Sequence, residues 1–171
     1  MRKTKLTKPS TKPSANASGR PVIPAIGEGK RGEHGHIGYL LRQAHAAHRI
    51  RMEKALSESG MTLPQFSVLT MLAAYPGASG ADLARLSLLT PQTMSVIVSN
   101  LEKAGLISRK PHAEHGRIQI IEITAAGQTL LHQCKTIAET TEQQLLVNLS
   151  ADEELVVRRW LVTVAKSSES D

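Results

Sequence analysis

The sequence predicts a mainly α-helical fold that carries one small β-hairpin. Apolar residues recur at spacings of three and four over most of residues 36–166, as they do on one face of an amphipathic helix. The pattern changes to β-branched runs only at 106–110 and 118–123. Capping signals, in which a Ser or Thr precedes Gln, Asp or Glu by three residues, divide the helical part into separate elements.

The first two predicted helices flank Gly60. The first covers residues 36–59, and its apolar face consists of Ile37, Leu41, Ala44, His48, Met52 and Ala55. Gly60 suits the position after a helix C-terminus. Thr62 and Gln65 then form a capping box, which predicts a second helix to about Ala74, before Tyr75-Pro76-Gly77.

A short helix and a longer one follow, joined by a tight link at 87–89. Ser79 and Asp82 form the capping box of the short helix, which ends near Leu86. Thr90 caps the longer helix and Pro91 occupies its first position, where a missing N–H costs nothing. The predicted buried stripe of this helix is Met94, Ile97, Val98 and Leu101, and the helix ends at Lys103-Ala104-Gly105.

The β-branched runs then predict a hairpin with a polar tip at 111–117. Thr124 caps a long helix over about 125–147, and Ser150 with Glu153 begins a last helix through about Lys166. One face of the long helix is predicted from Leu131, Cys134, Ile137, Ala138, Thr141 and Leu145.

Charge is concentrated at the start of the chain. The net charge is +6, but residues 1–31 hold eight Lys and Arg against one Glu, which leaves 13 basic and 14 acidic residues in 32–171. Residues 1–31 are rich in Lys, Ser, Thr, Pro and Gly, so we expect a disordered basic tail, either passive or binding phosphates without specificity. Charge alone therefore does not establish nucleic-acid binding by the folded part, residues 32–171.

Other classes of protein are disfavoured by composition. Aromatic residues make up 2% of the chain, which argues against modules that stack bases on aromatic rings. One cysteine permits no intramolecular disulfide, and the sequence has neither a signal-peptide pattern nor an apolar run long enough to span a membrane. We expect a cytoplasmic protein without a membrane partner, a cofactor or a catalytic site.

The helix pair and hairpin over residues 79–123 indicate a winged helix-turn-helix, in which the second helix enters the major groove of duplex DNA. Its polar face offers groups that can reach base edges or phosphates. The predicted DNA-binding residues of this helix are Thr90, Gln92, Thr93, Ser95, Val96, Ser99, Asn100 and Lys103. In the hairpin, Arg109, Lys110 and Arg117 are placed to meet phosphates or the minor groove. A helix with a merely polar face and a merely solvated hairpin remain the alternatives.

At these residues the chain resembles the MarR family, the multiple antibiotic resistance regulators. The likeness runs in register through roughly 36–166 and is carried by Gly60-Met61-Thr62-Leu63-Pro64-Gln65-Phe66-Ser67-Val68-Leu69, Gly80-Ala81-Asp82-Leu83-Ala84, Pro91-Gln92-Thr93-Met94-Ser95, Leu101-Glu102-Lys103-Ala104-Gly105-Leu106-Ile107-Ser108-Arg109 and Ile123-Thr124-Ala125-Ala126-Gly127. It implies a homodimer formed through helices 36–59 and 125–166, two modules reading a pseudo-palindromic operator, and a pocket for a small effector.

Two positions depart from the family pattern. Many relatives carry Asp-x-Arg at the wing tip, where this chain has His115-Gly116-Arg117, and relatives often carry Arg in place of Val96 and Asn100. Fewer cations weaken phosphate anchoring, so operator sequence and affinity do not transfer from the family.

The resemblance implies a ligand-responsive repressor, and many family members respond to aromatic or phenolic carboxylates. Arg49 could bind a carboxylate through its two-pronged guanidinium, with Tyr39, His45, His48 and Phe66 as the pocket walls. Interface or surface residues without a ligand are an equal alternative.

Three further alternatives remain open from the sequence. A metal-responsive regulator would need His45 or His48 to converge with His132 and Cys134 on zinc, but no compact ligand motif supports this. Cys134 lies on an apolar stripe, which favours a buried inert thiol over a redox switch. An architectural DNA-binding protein without an effector is the main different class, and a metal-dependent enzyme is a distant third.

Overall fold

The predicted order of elements is observed. The structure, a computed structural model, describes residues 22–111 and 119–166. Its helices are α1 (Ile37–Leu56), α2 (Leu63–Ala74), α3 (Gly80–Leu86), α4 (Pro91–Lys103), α5 (Ala125–Leu146) and α6 (Ala151–Lys166), and its strands are β1 (Ile107–Pro111) and β2 (Gln119–Ile123). The fold is therefore mainly helical with one antiparallel hairpin, as predicted.

Side-chain caps begin the helices where the sequence predicts them. Both halves of the capping box are present at Thr62 with Gln65 and at Ser79 with Asp82. The hydroxyls of Thr90 and Thr124 accept hydrogen bonds from backbone N–H groups three residues on, and Ser150 exchanges hydrogen bonds with Glu153. These predictions were local, because each needs only a residue and its near neighbours.

Hydrophobic packing concentrates in the part of the chain that follows residue 47. The chain divides after Ala47 into two compact units. The second unit contains a cluster of buried apolar residues from α2, α3, α4, the hairpin and α5. Leu56, Leu69, Leu83 and Leu101 are fully buried there, and burial of such a side chain is worth about 1.5–3 kcal/mol. The predicted stripe of Met94, Ile97, Val98 and Leu101 is confirmed.

Tight backbone contact fixes α5 against the hairpin. A Cβ added to Gly127 would lie 2.1 Å from the carbonyl oxygen of Leu106, so only glycine fits this position. Thr124 lies at the same junction, where its Oγ1 donates to the Gly105 carbonyl and its N–H donates to the Leu106 carbonyl. One short segment therefore joins the end of α4, the hairpin and the start of α5.

Residues 22–31 correct the prediction of a disordered tail through residue 31. Gly29–Arg31 forms a single 3-10 turn. The Arg31 guanidinium donates to the Pro24 carbonyl and to Oε1 of Gln43, and Gln43 returns a hydrogen bond to the Arg31 carbonyl. Pairing between distant positions holds this segment, which composition cannot reveal. The rest of the predicted tail, residues 1–21, lies outside the described residues.

Several predicted apolar positions lie on the surface. Ile37, Ala44 and Leu145, which the helical pattern placed on the apolar faces of their helices, are exposed. Helix α6 has no buried residue at all. Periodicity predicts which side of a helix is apolar, but not what covers that side. Among the described residues, no helix is long and apolar enough to cross a membrane.

Candidate nucleic-acid interface

Helices α3 and α4 are joined by a turn of defined geometry. The N–H of Leu89 donates to the Ala84 carbonyl and the N–H of Leu88 donates to the Arg85 carbonyl, the pattern of a Schellman motif. Leu88 occupies the left-handed position with φ 53° and is 92% exposed. Glycine usually fills this position, since a Cβ there costs about 1–2 kcal/mol. The turn therefore carries a strained, exposed leucine.

The polar face of α4 is displayed to solvent. Gln92, Thr93, Ser95 and Asn100 are exposed and Ser99 is half-buried, whereas the opposite face fills the core. Val96 lies among these polar groups with 61% of its surface exposed, so its apolar side chain is stabilised little by burial in this chain. Thr90 is also exposed, with its hydroxyl 2.9 Å from that of Thr93. An amide or hydroxyl on this face can reach a base edge in a major groove.

The hairpin lies next to α4 and its cations are paired with acids. The guanidinium of Arg109 lies 3.0 Å from a carboxylate oxygen of Glu102 at the end of α4. Lys110 pairs across the hairpin with Glu122. Exposed pairs of this kind are worth about 0–1 kcal/mol, so a phosphate can compete for both cations. Arg117, the third predicted wing cation, lies outside the described residues.

Arg85 is a cation that the sequence reasoning missed. It lies in the last turn of α3, has a 79% exposed side chain and pairs with Asp82. Hydrogen bonds from Ser79 and then from Arg85 lower the pKa of Asp82 to about 2. Asp82 is therefore ionised at neutral pH and caps α3. The signal available in the sequence was a basic residue in the last turn of α3, the first helix of the helix-turn-helix pair.

Two of the predicted effector residues lie in the first unit. Tyr39 is half-buried, with the Arg42 guanidinium 6.0 Å from its ring centroid. His45 is exposed. Their predicted part in an effector pocket stays a prediction.

The other three predicted effector residues lie in the second unit. Nε2 of His48 is 3.2 Å from a carboxylate oxygen of Glu142 on α5, whereas its Nδ1 is buried without a partner among the described residues. Arg49 pairs with Glu53 one turn along the helix, both about half-exposed. Phe66 packs against the core. No hydrogen bond or ion pair between described residues joins these three to one another.

Cys134 is a buried thiol, as predicted. It is fully buried, and its Sγ donates to Oγ of Ser59 at 3.4 Å. Within residues 22–111 and 119–166, no group of three or more His, Cys, Asp or Glu side chains is arranged to hold a metal ion. The proposed convergence of His132 and Cys134 with a histidine of α1 is therefore not found.

A cleft of about 740 Å³ opens behind the hairpin, in the second unit. Its walls are the end of α2 with the following turn, strand β2 and the first half of α5. It is lined by Leu72, Ala73, Pro76, Gly77, Ile120, Ile121, Glu122, Ile123, Gln128, Leu131, His132 and Lys135. This cleft was not predicted from the sequence, because its walls come from three elements distant in the chain.

Helix α6 carries an exposed apolar stripe, defined by Val156, Val157, Trp160, Leu161 and Val164. These side chains are 40–63% exposed and recur at spacings of three and four along the helix. The described residues of this chain do not bury the stripe. Contiguous exposed apolar surface of this kind marks an interaction site.

Comparisons with known proteins agree with this geometry. A family model described as "MarR family" matches residues 59–118. The HTH-type transcriptional repressor Rv2887 of Mycobacterium tuberculosis is 35% identical over 125 residues, which cover 73% of this chain and 90% of the relative.

Solved structures of Rv2887 are also similar. Its complex with salicylic acid has a TM-score of 0.63 at 33% identity and covers 77% of this chain and 98% of that chain. Its complex with DNA has a TM-score of 0.63 at 32% identity and covers 76% and 98%. The similarity therefore extends over about three quarters of this chain.

Proposed function

The chain belongs to the MarR family of transcription regulators, and from this premise we propose that it is a sequence-specific repressor of transcription. The observation that carries the proposal is the polar, exposed face of α4, held by a capped N-terminus and a buried apolar stripe. Base-edge recognition requires a rigid element that presents hydrogen-bonding groups, and this helix provides one.

Recognition of base edges is assigned to α4, and contacts with DNA phosphates are assigned mainly to the neighbouring elements. Gln92, Thr93 and Asn100 supply groups that hydrogen-bond bases, and Val96 suits the methyl group of thymine. Lys103, Arg109 and Lys110 supply phosphate contacts, as does Arg117 by sequence. Arg85 joins this set because its side chain is exposed beside the turn that leads into α4.

The active form is proposed to be a homodimer on a pseudo-palindromic operator. The apolar stripe on α6 is suited to packing against a protein partner. A second copy of the chain presents the same stripe, so two copies can pack on one another. Two modules then contact successive major-groove faces of one duplex.

The regulating signal is proposed to be a small aromatic carboxylate. Support comes from Rv2887, whose solved structure contains salicylic acid. Arg49 is available to such a ligand, since its exposed pair with Glu53 is weak. The roles of Tyr39, His45, His48 and Phe66 as pocket walls stay part of this proposal.

The basic segment 1–21 is proposed to add affinity without specificity. It contains Arg2, Lys3, Lys5, Lys8, Lys12 and Arg20 and no acid, so each phosphate contact that it makes steepens the salt dependence of binding by about 0.9. A chain starting at Val22 is expected to bind more weakly, with a shallower salt slope and the same preferred sequence.

Selection from a random duplex library tests the main proposal. Full-length protein should enrich a pseudo-palindrome, and a gel-shift titration should show much weaker binding to a scrambled duplex. Equal binding to both duplexes would indicate an architectural DNA-binding protein instead. The addition of salicylate to the complex then tests regulation.

A further inference from the structure

We propose that Leu88, in the turn between α3 and α4, contacts an apolar group of duplex DNA when α4 lies in the major groove. Two groups of this chemistry face a protein there, the methyl group of thymine and the C–H surface of deoxyribose. This inference rests on the proposed function and deepens it, because it adds the turn before α4 to the residues that contact DNA.

The backbone conformation of Leu88 indicates that its side chain has a function. With φ 53°, Leu88 is the one non-glycine residue with a positive φ within residues 22–111 and 119–166. Glycine occupies the same conformation after other helices, at Gly60 and Gly105. Glycine would adopt it here without strain, so leucine at this position costs stability. Strain of this kind is concentrated at functional sites.

The Leu88 side chain contributes nothing to the core. It is 92% exposed, the highest value among the exposed large hydrophobic side chains of the described residues. Its neighbour Leu89 packs against the core and donates its N–H to the Ala84 carbonyl, so the turn itself is fixed. Because the stability of the chain does not explain a strained and exposed leucine, we expect its side chain to contact another molecule.

The position of Leu88 indicates that this molecule is DNA. Leu88 lies two residues before Thr90, the N-cap of α4, so their Cα atoms are at most about 7–8 Å apart. Its N–H donates to the carbonyl of Arg85, the exposed cation of α3. The N-terminal residues of a recognition helix contact base edges, which brings the preceding turn to the edge of the groove. A leucine side chain has no hydrogen-bonding group, so it contacts carbon atoms there rather than a phosphate.

The variant Leu88→Gly tests this contact, because glycine removes the side chain and also relieves the strain. In binding titrations of full-length protein with the selected operator, it should bind about tenfold more weakly than the wild type. Leu88→Asn, which is less flexible than glycine and also accepts the left-handed conformation, should lose affinity to a similar extent. Leu88→Met keeps an apolar side chain of similar volume and should bind within about twofold of the wild type. Thermal melts check that each variant is folded.

Salt dependence distinguishes an apolar contact from a phosphate contact. Leu88→Gly should keep the salt slope of the wild type, because an apolar contact releases no counterion from DNA. Arg85→Gln is the comparison, since the loss of one phosphate contact should make the slope shallower by about 0.9.

Operators that carry uracil in place of single thymines identify the DNA group, because uracil lacks the methyl group. If Leu88 contacts a thymine methyl, one uracil substitution should weaken binding by the wild type and leave Leu88→Gly unaffected. If it contacts deoxyribose, no uracil substitution should have an effect that depends on Leu88. Val96→Ala is the matched control, because Val96 is also exposed and should be sensitive to a different thymine.

Wild-type affinity in both Leu88→Gly and Leu88→Asn would overturn the proposal, as would equally weak binding by Leu88→Met. A shallower salt slope in Leu88→Gly would also overturn it, because the substitution would then act by displacing phosphate contacts. Failure of the proposed function gives a different result, in which the wild type itself binds operator and scrambled duplexes equally, and the contact proposed for Leu88 would be rejected with it.

Discussion

Helices α4 and α6 are both amphipathic, but they differ in whether the chain buries their apolar face. Helix α4 buries Met94, Ile97, Val98 and Leu101 in the core and turns a polar face outward. Helix α6 buries no residue and leaves its apolar stripe in solvent. An exposed polar face can hydrogen-bond to the base edges of DNA, whereas an exposed apolar stripe can pack against another protein surface. We therefore propose that α4 contacts nucleic acid and that α6 contacts a second copy of the chain.

The largest effect is expected from a charged residue on the apolar stripe of α6. Leu161→Glu would bury an unpaired carboxylate in the proposed dimer, at a cost of about 3 kcal/mol or more. Sedimentation should show a shift from about twice 18.5 kDa toward the mass of one chain, with loss of tight operator binding.

Arg159→Glu is the matched control, because Arg159 is not part of the apolar stripe and its substitution should leave the dimer intact. A wild-type protein that sediments as a monomer and still binds a palindrome tightly would contradict the dimer.

Alanine substitutions in α4 and α6 should affect stability in different ways. Leu101→Ala should lower the free energy of unfolding by about 3 kcal/mol, because it leaves a cavity in the core of one chain. Leu161→Ala should instead lower a melting temperature that depends on protein concentration, since association stabilises only the dimer. Thermal melts at several concentrations distinguish the two. Concentration-independent losses in both variants would place Leu161 in the core of a single chain.

Gln92→Ala tests whether the polar face of α4 reads bases. If the amide makes a bidentate contact, discrimination at one base pair should fall by about 1–3 kcal/mol. Arg109→Ala is the comparison, because a phosphate contact lowers affinity for all sequences alike. Binding to a panel of single-base operator variants measures both effects. Identical preference profiles for the wild type and Gln92→Ala would remove this residue from the readout.

The turn before α4 should be stabilised when Leu88 is replaced by a residue that adopts the left-handed conformation more readily. Leu88→Asn should raise the free energy of unfolding by about 0.5–1 kcal/mol, because asparagine accepts a left-handed conformation more readily than leucine. The end of α4 serves as the internal reference, since Gly105 occupies the same position there with φ 71°. Gly105→Leu should therefore be destabilising. A stabilised Leu88→Asn protein that binds DNA poorly would show that the exposed leucine serves binding.

The capping box of α3 predicts a pH dependence. The lowered pKa of Asp82 means that its stabilising effect is full above about 4, the value expected in the unfolded chain, and is lost as pH falls through about 2. The difference in unfolding free energy between wild type and Asp82→Asn should accordingly shrink from pH 4 to pH 2. Denaturant titrations at each pH measure it. A difference that stays constant over this range would exclude the ionised cap.

Much of the fold was predictable from local sequence. The caps at Thr62, Ser79 and Thr90 and the glycine at 105 each act within a few residues, so the sequence could place helix ends to within about one turn. The exposed face of α4 followed from the positions of its apolar stripe. By contrast, Leu106 was predicted in the strand, but its N–H bonds to Leu101 and completes the cap of α4.

The order, type and polarity of the elements follow from the amino-acid sequence, because each depends on periodicity and on neighbours a few positions apart. The packing of the elements determines which apolar faces are covered, as Leu145 and the α6 stripe show. It also decided the clip between Arg31 and Gln43, the close approach of Gly127 to Leu106, and the cleft lined by β2 and α5. These features join residues far apart in the chain, and such contacts depend on how the elements pack against one another.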